Sequence, residues 1–159
     1  MKSLRRFYHK DADYFVTVVT HDRRAILLKH PEFFLYSWKQ PNPAAWVLMS
    51  DHFHAIVNVG DSDISTIMHR FKITYSKRYR MRHNSGRVWQ NRFWDHLIRD
   101  QRDLNHHLDY IHYNPVNHGS CDDPFAYPHS SLPTFLERGM YERNWGVGRQ
   151  VEFSGEYGE

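Results

Sequence analysis

A chain of 159 residues is most simply one domain, long enough to bury roughly 68–70% of the surface exposed by its unfolded form. Aromatic residues make up 16% of it, which excludes a disordered tail, and no apolar run approaches the ~20 residues needed to cross a bilayer. The net charge of +3 matters through its distribution: residues 64–94 hold no Asp or Glu but carry Arg70, Lys72, Lys77, Arg78, Arg80, Arg82, Arg87 and Arg92. That block predicts a polyanionic partner, with nucleic acid foremost. The alternative is a solvated basic helix face, although such faces usually interleave acidic residues.

In chain order, the N-terminus lacks the apolar stretch of a signal peptide. Residues 14–20, Tyr-Phe-Val-Thr-Val-Val-Thr, are β-branched and aromatic and read as a first strand. Residues 31–39 predict a short helix that tolerates Pro31 in its first turn. Gln40-Pro41-Asn42-Pro43 ends it, because a residue before proline leaves the α region. Residues 45–49 form a second strand, and Ser50-Asp51 turns the chain into a third. From Ile64 the period becomes helical, with Ile67, Met68, Phe71, Tyr75 and Tyr79 on one stripe and Asp61, Ser62 and Asp63 as N-cap candidates. His83-Asn84-Ser85-Gly86 breaks that helix. Residues 87–90, with Phe93 and Trp94, predict a fourth strand. The order is that of an α+β, ferredoxin-like βαββαβ sheet. A further helix follows on the stripe Leu104, Leu108 and Ile111, and is expected to end or kink at Pro115. All 159 residues are assigned to one domain, with 120–159 as an irregular C-terminal extension. The lone Cys121 cannot form an internal disulfide, so a reducing cytoplasmic setting is the expectation.

Chemistry is suggested at two points. The third strand alternates, sending Phe53, Ala55, Val57 and Val59 to one face and His52, His54, Ile56 and Asn58 to the other. Two neighbouring imidazoles suit a divalent metal ion; two polar residues on the wet face of a half-buried strand fit the pattern equally well. On the last helix Tyr110 and Asn114 lie one turn apart at the edge of the apolar stripe, where both could face a groove. Taken singly, each also fits a boundary residue.

Together these segments resemble a known family. The triplet His52-Phe53-His54, the basic helix, the segment Trp89-Gln90-Asn91-Arg92-Phe93-Trp94-Asp95-His96-Leu97-Ile98-Arg99, and Asp109-Tyr110-Ile111-His112-Tyr113-Asn114-Pro115-Val116-Asn117-His118-Gly119 stand in order. This arrangement is similar to the REP-associated tyrosine transposases, a branch of the single-tyrosine HUH transposases and nucleases. The likeness covers most of the chain. One departure is the segment 25–44, shorter than the family's usual helix between the first two strands.

The resemblance implies metal ligation by His52, His54 and Asn114, with Mg²⁺ or Mn²⁺ as cofactor, and Tyr110 as nucleophile, with Tyr113 as its competitor. It implies cleavage and rejoining of single-stranded DNA beside REP-like hairpins through a 5′-phosphotyrosine, by a monomer or homodimer. Arg70, Lys72, Lys77 and Arg78 are expected to hold DNA, and Arg5 and Arg6 are added to that set. The rival readings are a regulator that binds DNA hairpins without cutting, and a zinc hydrolase using the His pair with His106, His107 or Cys121.

Overall fold

The computed structural model describes residues 9–39, 41–84 and 86–159. Four strands, β1 (Asp13–Val19), β2 (Ala45–Leu48), β3 (His52–Asn58) and β4 (Trp94–Leu97), form an antiparallel sheet in the order β2-β3-β1-β4. Helix α1 (Glu32–Ser37) links β1 to β2, and α2 (Ile64–His83) links β3 to β4. This is the expected ferredoxin-like order. Helix α3 (Gln101–Asn117), which carries Tyr110, follows it. Beyond α3 the chain forms a 3-10 turn, Pro124–Ala126, and the short helix α4 (Leu132–Glu137).

The sheet is covered on both faces. On one, Tyr14, Val16 and Val18 of β1 and Phe53, Ala55 and Val57 of β3 pack against Phe33 and Phe34 of α1 and the predicted stripe of α2. Rings dominate this layer: Phe53 meets Phe34 at 5.0 Å and Phe71 at 5.1 Å between centroids. Each such side chain contributes roughly 1.5–3 kcal/mol through burial. On the other face Phe15, Val47 and Ile56 meet Leu108 and Ile111 of α3. Strand β3 therefore runs between two strands and between two layers, and six of its seven residues are buried.

Local chemistry fixes the helix ends. Asp63 caps α2 by accepting from the Thr66 amide at 2.9 Å, and Asp100 caps α3 through the Asp103 amide at 2.8 Å; both satisfy amides that a helix start leaves unpaired. Helix α3 does not stop at Pro115 but continues to Asn117. A proline removes one N–H bond, and here the loss falls near a terminus that is otherwise well closed. Gly119, at φ +72°, donates to Val116 O and Ser120 to Pro115 O, the paired bonds of a Schellman ending. The fourth strand also differs from expectation. Residues 94–97, not 87–90, pair with β1. Trp89 makes only an isolated bridge to Thr20, and its apolar signal, with that of Val88, reflects burial in the aromatic core.

Helix α3 is tied down by a directional chain of hydrogen bonds. The Trp46 amide donates to Ser131 Oγ at 2.9 Å, Ser131 to His112 Nε2 at 2.9 Å, His112 Nδ1 to the Tyr141 hydroxyl at 3.0 Å, and Tyr141 to Asp109 at 3.0 Å. Burial pushes the His112 pKa down to about 3, so the ring is neutral. Unfolded, it takes a proton near pH 6.5. Between those values the unfolded state binds more protons, so this contribution is complete above pH 6.5 and is lost as the pH falls. Urea unfolding should show His112→Gln reducing the stability drop between pH 7 and pH 5 by about 2 kcal/mol. An unchanged pH slope would contradict this assignment.

Candidate active site

The pleat of β3 turns His52 and His54 toward α3, with ring centroids 5.0 Å apart. Neither faces water: His52 is 3% and His54 0% exposed. Each ring is oriented from behind. His52 Nδ1 lies 2.7 Å from Asp51 Oδ1, and His54 Nδ1 lies 2.7 Å from Thr17 Oγ1, across the β1–β3 register. The Thr17 hydroxyl donates to the Tyr157 carbonyl, so it accepts from His54. Nδ1 of each ring is thus turned outward and Nε2 inward, toward α3.

Asn114, 1% exposed, closes the other side. Its Oδ1 and His52 Nε2 are buried without a hydrogen-bond partner among the described residues, and unmet groups of this kind cost on the order of 1–3 kcal/mol each. These orphaned acceptors, with His54 Nε2, make a nitrogen-and-oxygen donor set for a divalent cation. The residues present fit Mg²⁺ or Mn²⁺, and on ligand type they also fit zinc.

No motif points to Glu159, whose carboxylate completes the group. It lies 2.5 Å from His54 Nε2, 3.6 Å from His52 Nε2 and 3.0 Å from His118 Nε2, and accepts from Asn114 Nδ2 at 2.7 Å. It stands 105 positions beyond His54, so no spacing pattern could connect the two. Burial opposes a charge on His52, but Glu159 and Asp51 outweigh it and raise its pKa. At His54 burial wins and the pKa falls to about 4. Burial alone would raise the Glu159 pKa, yet the imidazoles of His118, His52 and His54 around it hold it far below the usual carboxylate range.

Tyr110 converges on the same point from α3. Its ring meets His54 edge-on at 5.2 Å. Burial first, then the adjacent Glu159 carboxylate, raises its hydroxyl pKa, while a hydrogen bond with Asn114 opposes the rise. Tyr157 stacks flat on it, at 3.7 Å between centroids and 6° between planes. Tyr113 is directed elsewhere: its hydroxyl donates to the Arg149 carbonyl at 3.2 Å, and its ring packs on Trp145 and Phe153. His52, His54, Asn114 and Tyr110 therefore meet within one chain.

Residues 11–114 match the family model described as "Transposase IS200 like". A REP-associated tyrosine transposase of Escherichia coli K12 is 33% identical over 163 residues, covering 97% of this chain and 96% of that protein. A Haemophilus influenzae protein described as a candidate of the same kind is 30% identical, over 98% of this chain and 99% of its own length. The chain belongs to the REP-associated tyrosine transposases. A solved structure of such a transposase bound to a REP hairpin is 30% identical, with a TM-score of 0.83 over 100% of this chain and 98% of that one.

In this REP-associated transposase the basic residues lie on a different layer from the histidines. Helix α2 packs on the opposite face of the sheet. Arg70 and Lys77 are exposed on it. Lys72 donates to the carbonyls of Gln90 and Arg92 at 2.9 and 3.3 Å, and Arg78 stacks over the Tyr36 ring at 4.0 Å. Arg5 and Arg6 lie outside the described residues. Among the described residues no helix is long and apolar enough to cross a membrane.

The orienting carboxylate of Asp51 gives a test of the site. Asp51→Asn removes the charged acceptor behind His52 and should weaken Mn²⁺ binding by about 10–100-fold, as measured by electron paramagnetic resonance titration. Unchanged binding would show that His52 does not depend on that partner.

Proposed function

We propose that this chain cleaves and rejoins single-stranded DNA beside a hairpin, with Tyr110 as nucleophile. What supports the reading above all is the shared location of the Tyr110 hydroxyl, Asn114 Oδ1 and the two imidazoles in one chain. The hairpin comes from the solved relative, which is bound to a REP hairpin.

Tyr110 Oη forms a bond to phosphorus as the bond to the 3′-oxygen breaks, giving a 5′-phosphotyrosine and a 3′-hydroxyl. The tyrosyl proton ends on the departing 3′-oxygen. The phosphoester is retained, so the reverse attack by a 3′-hydroxyl rejoins strands without ATP. His52, His54 and Asn114 would hold Mg²⁺ or Mn²⁺, which supplies positive charge to the phosphate oxygens as negative charge builds. Thr17 and Asp51 keep the imidazoles turned inward, and α3 sets Tyr110 against them. All these groups come from one chain, so a monomer suffices and a homodimer is not required. A cytoplasmic setting among bacterial DNA fits this role.

Glu159 and Tyr157 occupy the space that a phosphate and its flanking nucleotide would need, so tail and DNA exclude one another. That occlusion also favours the second reading, a protein that binds hairpins without cutting. Incubation with a labelled hairpin oligonucleotide and Mn²⁺ separates the two. The covalent adduct should form faster in a chain truncated after Glu152 and vanish in Tyr110→Phe. An adduct that persists in Tyr110→Phe would move the nucleophile to another tyrosine, and a truncated chain that binds but never reacts would establish the second reading.

The exposed pair Arg70 and Lys77 would hold the duplex backbone of the hairpin. Replacing both with alanine should reduce the slope of log affinity against log salt by about 1.8, since each lost phosphate contact removes about 0.9. An unchanged slope would move the DNA off α2.

A further inference from the structure

The two carboxylate oxygens of Glu159 face different parts of the pocket. Oε1 lies 2.5 Å from His54 Nε2, 3.6 Å from His52 Nε2 and 2.7 Å from Asn114 Nδ2. Oε2 faces His118 Nε2 at 3.0 Å. We infer that His118 is a phosphate-binding residue, whose Nε2–H donates to the DNA phosphate oxygen that points away from His52, His54 and Asn114. The inference rests on the reading of this pocket as a phosphodiester site, in which the carboxylate holds the place of two phosphate oxygens.

Helix α3 puts the ring there for a local reason. Tyr110, Asn114 and His118 follow one another at steps of four residues, so they run along one side of the helix. The His118 amide donates to Asn114 O at 2.9 Å, and Gly119, at φ +72°, turns the chain away behind it. The imidazole packs on that of His52, with centroids 5.1 Å apart and 57° between planes. Its side chain is 36% exposed, whereas His52 and His54 are buried. His118 therefore stands at the rim of the pocket.

An ionised carboxylate accepts, so His118 Nε2 is the donor in this contact. A phosphate oxygen accepts from the same N–H, and donation needs no charge on the ring. His118 is set apart from the candidate metal ligands. The ligand atoms within 4.8 Å of one another here are those of His52, His54 and Glu159. With one phosphate oxygen held in the corner of His52, His54 and Asn114 and a second held by His118, the phosphorus is fixed in orientation. In-line attack by Tyr110 requires that alignment.

The test uses the full chain carrying Glu159→Ala, which clears the carboxylate from the pocket. Inorganic phosphate is the first probe, titrated with Mg²⁺ present and followed by the ring NMR signal of His52. Adding His118→Ala should raise the phosphate Kd about 10-fold, while the Mn²⁺ Kd from electron paramagnetic resonance stays within about twofold. His118→Gln, which keeps an N–H donor, should recover most of the loss. A labelled hairpin oligonucleotide is the second probe, and its adduct should form more slowly in His118→Ala by a similar factor. Phosphate that does not bind, or that binds equally well after His118→Ala, overturns the inference. So does Mn²⁺ binding that weakens as much as phosphate binding, since the ring would then act as a ligand or as a support for His52. If the chain with His118 intact forms no adduct, the cleavage reading fails, and the phosphate titration still decides the role of His118.

Discussion

His54 stands on a strand hemmed in by two neighbours and two layers, and much of the arrangement around it answers the problem this creates. A buried imidazole needs partners for both nitrogens, because an unmet polar group in a dry interior is costly. Thr17 meets one nitrogen from the adjacent strand, and the Glu159 carboxylate meets the other. His52 repeats the pattern with Asp51 behind it, but its Nε2 has no hydrogen-bond partner among the described residues. Desolvation disfavours the charged form of His54.

The two sides of the sheet solve different problems. The side under α2 is nearly all hydrocarbon and aromatic rings, with Phe34, Trp38, Phe53, Phe71, Tyr75 and Trp89 in mutual contact. The side under α3 mixes apolar residues with hydrogen-bonded chains through His112, Ser131 and Tyr141. Such networks contribute little net energy per bond but demand a single geometry. Helix α3 is thereby fixed in rotation, which Tyr110 and Asn114 need if both are to reach the histidines.

The features that were legible in the sequence were short-range ones. Alternation through residues 52–58 identified the face shared by His52 and His54, and helical spacing paired Tyr110 with Asn114. The stripe from Ile64 to Tyr79 was fully expressed in the core. Features that depend on tertiary context were hidden. Strand β4 is a four-residue edge with a polar sequence, Trp-Asp-His-Leu, so the stronger apolar signal of Val88 and Trp89 drew the strand to the wrong place. Pro115 could be carried by α3 because a Schellman ending closes the helix just beyond it. The run of cations around Arg70 and Lys77 gave no sign of which layer it would join. Glu159 was beyond reach, since nothing local ties a carboxylate to two imidazoles more than a hundred positions away.

The unequal character of the two faces bears on how such a protein can change. Cohesion is concentrated in the ring-filled half, which has no part in the chemistry. Substitutions among the groups under α3 can change the polar network there while that half keeps the chain folded. Truncating one of the phenyl or indole rings behind the sheet therefore costs the fold more than changing a residue of the segment 153–159.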